Sequence, residues 1–222
     1  MKIATWNVNS GAVSDRLAEL RTAYEVDIVA MQETAEPTDA ISTCLWAGDM
    51  THKGVSLSST EPLERFVMKG DTSPCIAATI DNSPLGSFNI LSLWAKPTPS
   101  YYADISRTLD LYSTFIRKRP TVILGDFNMS ARLHDVGRKF YLLNARLNHD
   151  FGVFSAYHDY TNERFGMESM TTLYHQWGAA GCFHCDFIYI PASWIPQLRS
   201  VVIPGYVKFN TSDHRPVMCE FG

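Results

Sequence analysis

The feature that most constrains this chain is a set of short β-branched runs that are apolar at consecutive positions. Val122-Ile123-Leu124 and Ile28-Val29-Ala30-Met31 show no polar alternation, so both faces of such strands must be covered by other layers. Strands are predicted at 2–9, 26–32, 54–58, 75–81, 88–94, 121–125, 186–190, 199–203 and 216–221 from their β-branched and aromatic content. A helix fits between the first two, with Ser14 as its N-cap and Leu17, Leu20 and Tyr24 at helical spacing. A second helix is predicted from Asp104 to Arg119, with Ile105, Leu109, Tyr112 and Ile116 on one face and Pro120 ending it. Short turns between consecutive strands over 54–94 point to antiparallel pairing. The expected fold is α/β (α+β), a sandwich of mixed sheets inside and helices outside. No repeat or linker divides it, so one domain over 1–222 is expected.

The 222 residues are 45% hydrophobic and 12% aromatic, with a formal charge of -4. That composition excludes disorder, collagen and coiled coil, and the charge argues against a non-specific nucleic-acid coat. No apolar stretch is long enough to span a bilayer, so no membrane role is expected. The opening Met1 to Asn7 lacks the apolar core of a signal peptide. Five cysteines, an odd and sparse set, fit reduced thiols. A cytoplasmic monomer is the expectation.

Polar residues of one kind collect where strands begin or end. Asn7 and Asn9 are placed on one face by the period-two alternation of a strand. Glu33 follows the apolar run 28–31. Asp126 and Asn128 follow Val122 to Gly125. Parity puts His184 and Asp186 on one face, and Asp213 and His214 precede the last strand. Each piece alone reads as an Asx turn or a solvated carboxylate. Together, four carboxylates, two or three asparagines and a histidine on one rim are poorly explained as structure. Clustered carboxylates call for a hard divalent cation with oxygen ligands, and histidine titrates near neutrality. These are the parts of metal-assisted phosphoester hydrolysis.

The segments Thr5-Trp6-Asn7-Val8-Asn9, Met31-Gln32-Glu33-Thr34, Leu124-Gly125-Asp126-Phe127-Asn128 and Ser212-Asp213-His214-Arg215-Pro216 resemble the endonuclease/exonuclease/phosphatase superfamily, the exonuclease III and deoxyribonuclease I type, in that family's order. Phe154 to His158, Thr172 to His175 and Phe183 to Ile188 resemble a bacterial branch of it. The resemblance runs from residue 3 to residue 221. It implies a four-layer α-β-β-α sandwich of two mixed sheets flanked by helices, and a Mg2+ (or Mn2+) dependent phosphodiesterase. By the same resemblance Glu33 is the principal metal carboxylate, with Asp213, Asn7 and Asn9 near the metal. Asp126 orients or deprotonates the attacking water, Asn128 holds a phosphate oxygen, and His214 stabilises the transition state with Asp186 as its partner. Trp94 falls where nuclease relatives place a Tyr or His, and an indole cannot carry a proton; Lys96, two residues on, is a phosphate contact instead.

Other residues fill out the expectation. Residues 130–149 hold Arg132, Arg138, Lys139 and Arg146 against Asp135 alone, a charge of +3 in a chain of -4, so a basic face beside the site is expected to meet a nucleic-acid backbone. Tyr101, Tyr102 and Trp177 offer stacking surfaces. His175 stands a short loop before the strand of Asp186. His52, His134, His149 and His158 are read as surface residues. Cys182-x-x-Cys185 brackets His184, but strand parity sends the two thiols to opposite faces and no second pair completes a zinc site. The leading expectation is a nuclease or nucleic-acid end-processing enzyme. The alternatives are a phosphatase or phosphodiesterase of a small molecule or lipid head group, and an inactive binding module on the same fold.

Overall fold

The computed structural model describes residues 1–37, 43–50, 53–71, 74–133, 137–178, 181–205 and 207–222. Its elements run β1 (Lys2–Asn7), α1 (Val13–Tyr24), β2 (Ile28–Thr34), β3 (Cys44–Met50), β4 (Lys53–Ser59), β5 (Glu64–Phe66), β6 (Cys75–Ser83), β7 (Gly86–Trp94), α2 (Tyr101–Leu111), α3 (Ser113–Lys118) and β8 (Thr121–Asp126). The chain continues through α4 (Gly137–Phe151), β9 (Val153–Ser155), α5 (Ala156–Thr161), β10 (Leu173–Tyr174), β11 (Cys182–Phe183), β12 (Asp186–Pro191), β13 (Leu198–Val202) and β14 (Val217–Phe221). One six-stranded sheet has the order β13-β14-β1-β2-β4-β3 and the other β5-β6-β7-β8-β12-β9; β10 and β11 form a two-stranded ribbon. Each large sheet is mixed, with one parallel pair, β1–β2 or β7–β8, among antiparallel ones. No helix among the described residues is long and apolar enough to cross a membrane.

Alternation along the strands builds the layers. Ile3, Ile28, Ala30, Val55, Ile90, Val122, Leu124, Ile188 and Ile190 face inward and fill the core between the sheets. Their neighbours Ala4, Trp6, Val29 and Met31 face outward and bury Leu17 and Leu20 of α1. On the far side, Leu91, Leu93, Ile123, Phe187 and Tyr189 bury α2, α3 and α4. Three apolar layers separate four structural ones, which is the expected sandwich. Trp6 and Trp94 are both buried in these cores. Trp94, which the resemblance makes a candidate substrate-side residue, is 7% exposed and packs in the inter-sheet layer.

Two helix starts differ from expectation. Val13 begins α1 after Ala12, which makes no side-chain cap, so Ser14 lies inside the first turn. The second helix starts earlier, because Ser100 is extended and its Oγ accepts the Ala103 N–H at 3.2 Å. Asp104 is instead buried within the first turn, accepting the Lys96 N–H at 2.9 Å. Tyr112, off helical geometry, divides the helix into α2 and α3.

Gly125 lies in β8 immediately before Asp126, at φ +142°, and a Cβ there would sit 1.9 Å from the Leu93 carbonyl oxygen of β7. No side chain fits, so the approach of the two strands depends on glycine. Gly125→Ala is expected to destabilise the fold by about 3 kcal/mol or more, read as a lower urea midpoint in equilibrium unfolding. A shift below ~0.5 kcal/mol, the range of ordinary surface substitutions, would contradict this reading.

Candidate active site

The alternation that builds the inter-sheet core also delivers its last polar residues. Val122 and Leu124 face the core, and two residues on Asp126 faces the same way with no exposure. Ile190 and Ile188 face it from β12, and Asp186 continues the series. Because β12 runs antiparallel to β8 with Asp186 opposite Asp126, the two carboxylates are cross-strand neighbours. From the other sheet, Ile3 leads by the same parity to Thr5 and Asn7, all fully buried. The rim is one end of the dry core, where β1 and β8 finish and β12 begins in amide and acid groups.

Asn7 spans the two sheets. Its Nδ2 donates to Asp126 Oδ2 at 2.9 Å and to Glu33 Oε1 at 3.1 Å. Glu33 reaches this position through a backbone irregularity. Strict alternation after Gln32 would send it outward, but the β2–β4 register shifts between Gln32 and Thr34 and Glu33 adopts φ 58°. A bulge re-aims its side chain. Its other oxygen pairs with the Lys53 ammonium of β4. Asn128, at φ 50°, holds Asp126 from the other side, its N–H donating to Oδ1 at 2.8 Å and its Nδ2 to Oδ2 at 2.9 Å.

His214 Nδ1 lies 2.9 Å from Asp186 Oδ2, and both residues are buried. Three contacts fix the imidazole. Ser212 Oγ accepts the His214 N–H at 3.0 Å and donates to the Asn7 carbonyl at 2.8 Å. Trp6 Nε1 donates to the His214 carbonyl at 3.2 Å, as does the buried Arg215 guanidinium at 2.9 Å. Thr172 Oγ1 accepts the N–H groups of Cys185 at 3.0 Å and Asp186 at 3.2 Å. Ligand atoms of Asp126, Cys185, Asp186 and His214 all lie within 4.8 Å of one another.

Electrostatics follows from this crowding. Burial, and then the Asp186 charge, pushes Asp126 up to about 7. Burial works against a charge on His214, yet the Asp186 carboxylate overcomes it and lifts the imidazole to about 9. The Asp186 partner thus favours the charged, imidazolium form of His214.

The sequence-predicted residues divide into three groups. Asn7, Glu33, Asp126, Asn128, Asp186 and His214 are brought together as described. Asp213 is half-buried beside His214, and its carbonyl accepts the Tyr174 N–H at 2.8 Å. His175 is exposed and lines a cavity of about 330 Å³ with Tyr101, Asn128, Leu173, Phe183 and Cys185. Lys96 lies past the end of β7, its ammonium over the Trp94 ring. Arg138 and Lys139 stand exposed on α4, whereas Arg146 is tied to Asp110 and Asp150.

Three placements are corrected. β1 ends at Asn7, and Asn9 turns to φ 47° with an exposed side chain, its N–H donating to Asn7 Oδ1 at 3.1 Å; strand parity does not reach it. His184 likewise precedes β12, where strand parity does not reach it, and packs outward against Tyr157, His158 and Phe187. His158 is buried rather than superficial, between Ser155 Oγ at 2.8 Å and Glu168 Oε1 at 3.2 Å. His149 is exposed. His52, His134 and Asp135 lie outside the described residues. Lys53 is not among the sequence-predicted site residues; Thr172 figures there only within the family-like segment Thr172 to His175, and Cys185 only in a zinc pair with Cys182. The one available signal was the position of Lys53, directly before a predicted strand.

A family model described as Endonuclease/Exonuclease/phosphatase family matches residues 4–214. No curated protein is detectably similar in sequence. Among solved structures, a 3′ phosphatase (NExo) from Neisseria bound to product DNA hairpin superposes with a TM-score of 0.76 at 21% identity. A 3′-5′ exonuclease (NExo) from Neisseria meningitidis gives 0.72 at 21%, and an AP endonuclease from Archaeoglobus fulgidus 0.70 at 17%. Each comparison covers 100% of this chain and 99% of the other. The likeness is one of fold.

His184 generates a prediction about stability. Burial, first of all, holds its imidazole down at about 4, below the ~6.5 of an unfolded chain. The unfolded state therefore binds more protons between these values, and stability is retained above pH ~6.5 and lost as pH falls toward 4. The loss from this residue should reach about 3 kcal/mol. Urea unfolding at pH 7 and pH 4.5 should show a smaller drop in His184→Gln than in the parent protein. Equal drops would remove His184 as the cause.

Proposed function

We propose that this chain, which belongs to the Endonuclease/Exonuclease/phosphatase family, is a divalent-metal-dependent phosphodiester hydrolase acting on nucleic acid. The observation that carries the reading is the buried Asp186–His214 pair beside an Asp126 carboxylate that Asn7 links to Glu33. In this reading Asp126 orients and deprotonates the attacking water, a task suited to a carboxylate poised near neutrality. Asn128 holds a phosphate oxygen, adding a donor without adding charge. The His214 imidazolium meets the negative charge that builds on the phosphorus-bound oxygens, and Asp186 keeps it oriented and charged.

Glu33 fits a hard cation. Its carboxylate already accepts a positive group, the Lys53 ammonium, and carboxylate oxygens are the ligands that suit Mg2+ or Mn2+. Glu33 would hold the ion, with Asn7 and Asp213 near it; Asn9, exposed and off the strand, contributes least. Bound there, the cation would supply Lewis-acid polarisation of a phosphate oxygen.

The substrate assignment is supported by relatives of this fold whose names describe work on DNA: a 3′ phosphatase bound to a DNA hairpin, a 3′-5′ exonuclease and an AP endonuclease. A second reading, a small phosphoester with an apolar group, is favoured by the cavity beside Asn128, which Tyr101, Leu133, Leu173 and Phe183 line.

Chelator-treated protein should hydrolyse neither an oligonucleotide nor a bis-aryl phosphate, and Mg2+ or Mn2+ should restore both. Full turnover in chelator would end the metal-hydrolase reading. Comparing single strands, abasic duplex, RNA and phosphotyrosyl ends under the same conditions identifies the substrate.

The exposed Arg138 and Lys139 separate the two substrate classes. If α4 tracks a phosphate backbone, each phosphate contact contributes about 0.9 to the log-log salt slope on duplex and about 0.7 on single strands. Removing both cations should flatten the slope of oligonucleotide binding and leave the aryl ester unaffected. An unchanged slope would favour the small-ester reading.

A further inference from the structure

We propose that Asp126, Cys185, Asp186 and His214 form a binding site for a borderline or soft divalent cation of the zinc and cadmium type, distinct from the position proposed at Glu33. The donor set is the first argument. One thiol, one imidazole and two carboxylates match the ligands that Zn2+ takes, and sulfur discriminates against Mg2+. Distance is the second. In a tetrahedral zinc site, metal–ligand bonds of about 2.0–2.3 Å put ligand atoms about 3.3–3.8 Å apart. The four here already lie within 4.8 Å of one another, so inward shifts of about 1 Å complete the shell.

A third observation points to a ligand rather than a satisfied cluster. Asp186 is fully buried, and its Oδ1 has no hydrogen-bond partner among the described residues. Such an atom is costly in a dry interior, and a cation satisfies it. Access is available as well, because Cys185 lines the cavity shared with Tyr101, Asn128, Leu173 and the exposed His175. Metal entry exchanges two protons: the Cys185 S–H bond and one imidazolium N–H bond of His214 break, a sulfur–metal and a nitrogen–metal bond form, and both protons pass to buffer. Cys182, the other thiol of the sequence pair, is not a member of the group; its carbonyl accepts from Arg132 at 3.4 Å. An ion bound here occupies His214 and Asp186 and so inhibits hydrolysis. That consequence rests on the proposed function, whereas the binding itself does not.

Co2+ is the probe, titrated into metal-free full-length protein and followed by absorption. Expected are a thiolate-to-cobalt charge-transfer band in the near ultraviolet and the intense visible bands of tetrahedral cobalt, at one equivalent. Excess Mg2+ should leave them, and Zn2+ should abolish them. Cys185→Ser should lose the charge-transfer band, and Cys182→Ser should keep it. No band in the parent protein, or a band that survives Cys185→Ser, overturns the proposal. Should Cys185→Ser fail to fold, zinc-edge X-ray absorption of the Cys182→Ser protein decides: one sulfur among nitrogen and oxygen neighbours supports the site, and an all-oxygen shell refutes it. Zn2+ at micromolar level should also suppress Mg2+-dependent hydrolysis. A cobalt band in a protein that never hydrolyses a phosphodiester would leave this site standing and refute the proposed function instead.

Discussion

Asp126 is a carboxylate with no exposure to solvent, and the arrangement of the rim is a response to that one group. A buried charge is tolerated only when paired and hydrogen-bonded. Asn7 and Asn128 give it donors from opposite sides, and the His214 imidazolium offsets the second carboxylate, Asp186. Each of these partners comes from a different element: β1, the loop after β8, the approach to β14 and the start of β12. The sandwich cannot close at this end without assembling the site. The inter-sheet core ends in a polar network rather than in solvent.

That network is supported by backbone that a regular sandwich would not need. Glu33 sits at a bulge, Asn128 in the left-handed region, and Gly125 where β7 leaves no room for a Cβ. Behind the site, Thr172 ties the start of β12 to the segment of His214, accepting from Cys185 and Asp186 and receiving the Arg215 N–H on its carbonyl at 2.7 Å. Arg215 itself is fully buried, its guanidinium donating to the Ser212 and His214 carbonyls and lying over the Tyr174 ring. These contacts fix the imidazole through main chain rather than through its ring, leaving Nδ1 to Asp186.

Much of this was legible in the sequence, for identifiable reasons. Doubly apolar strands and period-two alternation gave the layers, because burial dictates both. The same alternation, continued one step past Leu124 and Ile188, located Asp126 and Asp186. It failed where the chain had already left the strand: Asn9 and His184 obey loop geometry, and parity says nothing there. It would have failed for Glu33 too, which occupies the site only because a bulge reverses its face. Trp94 is singled out because it falls where nuclease relatives place a Tyr or His, and its inward face makes it core. Lys53 and Thr172 act through partners distant in sequence, and no local pattern encodes such pairings. Short elements such as β5, β9 and α5 carry too few residues for periodicity to register.

The central claim is that Asp186 and His214 act as a single charged unit in phosphodiester hydrolysis. The most direct test is a double-mutant cycle on kcat/KM with Asp186→Asn and His214→Ala, at saturating Mg2+ and with folding checked by circular dichroism. His214→Ala alone should lower turnover by about 10²–10⁴. The double variant should be little worse than the more damaged single one, since groups acting together are not additive. Strictly additive losses, or a His214→Ala enzyme with parental turnover, would contradict the account.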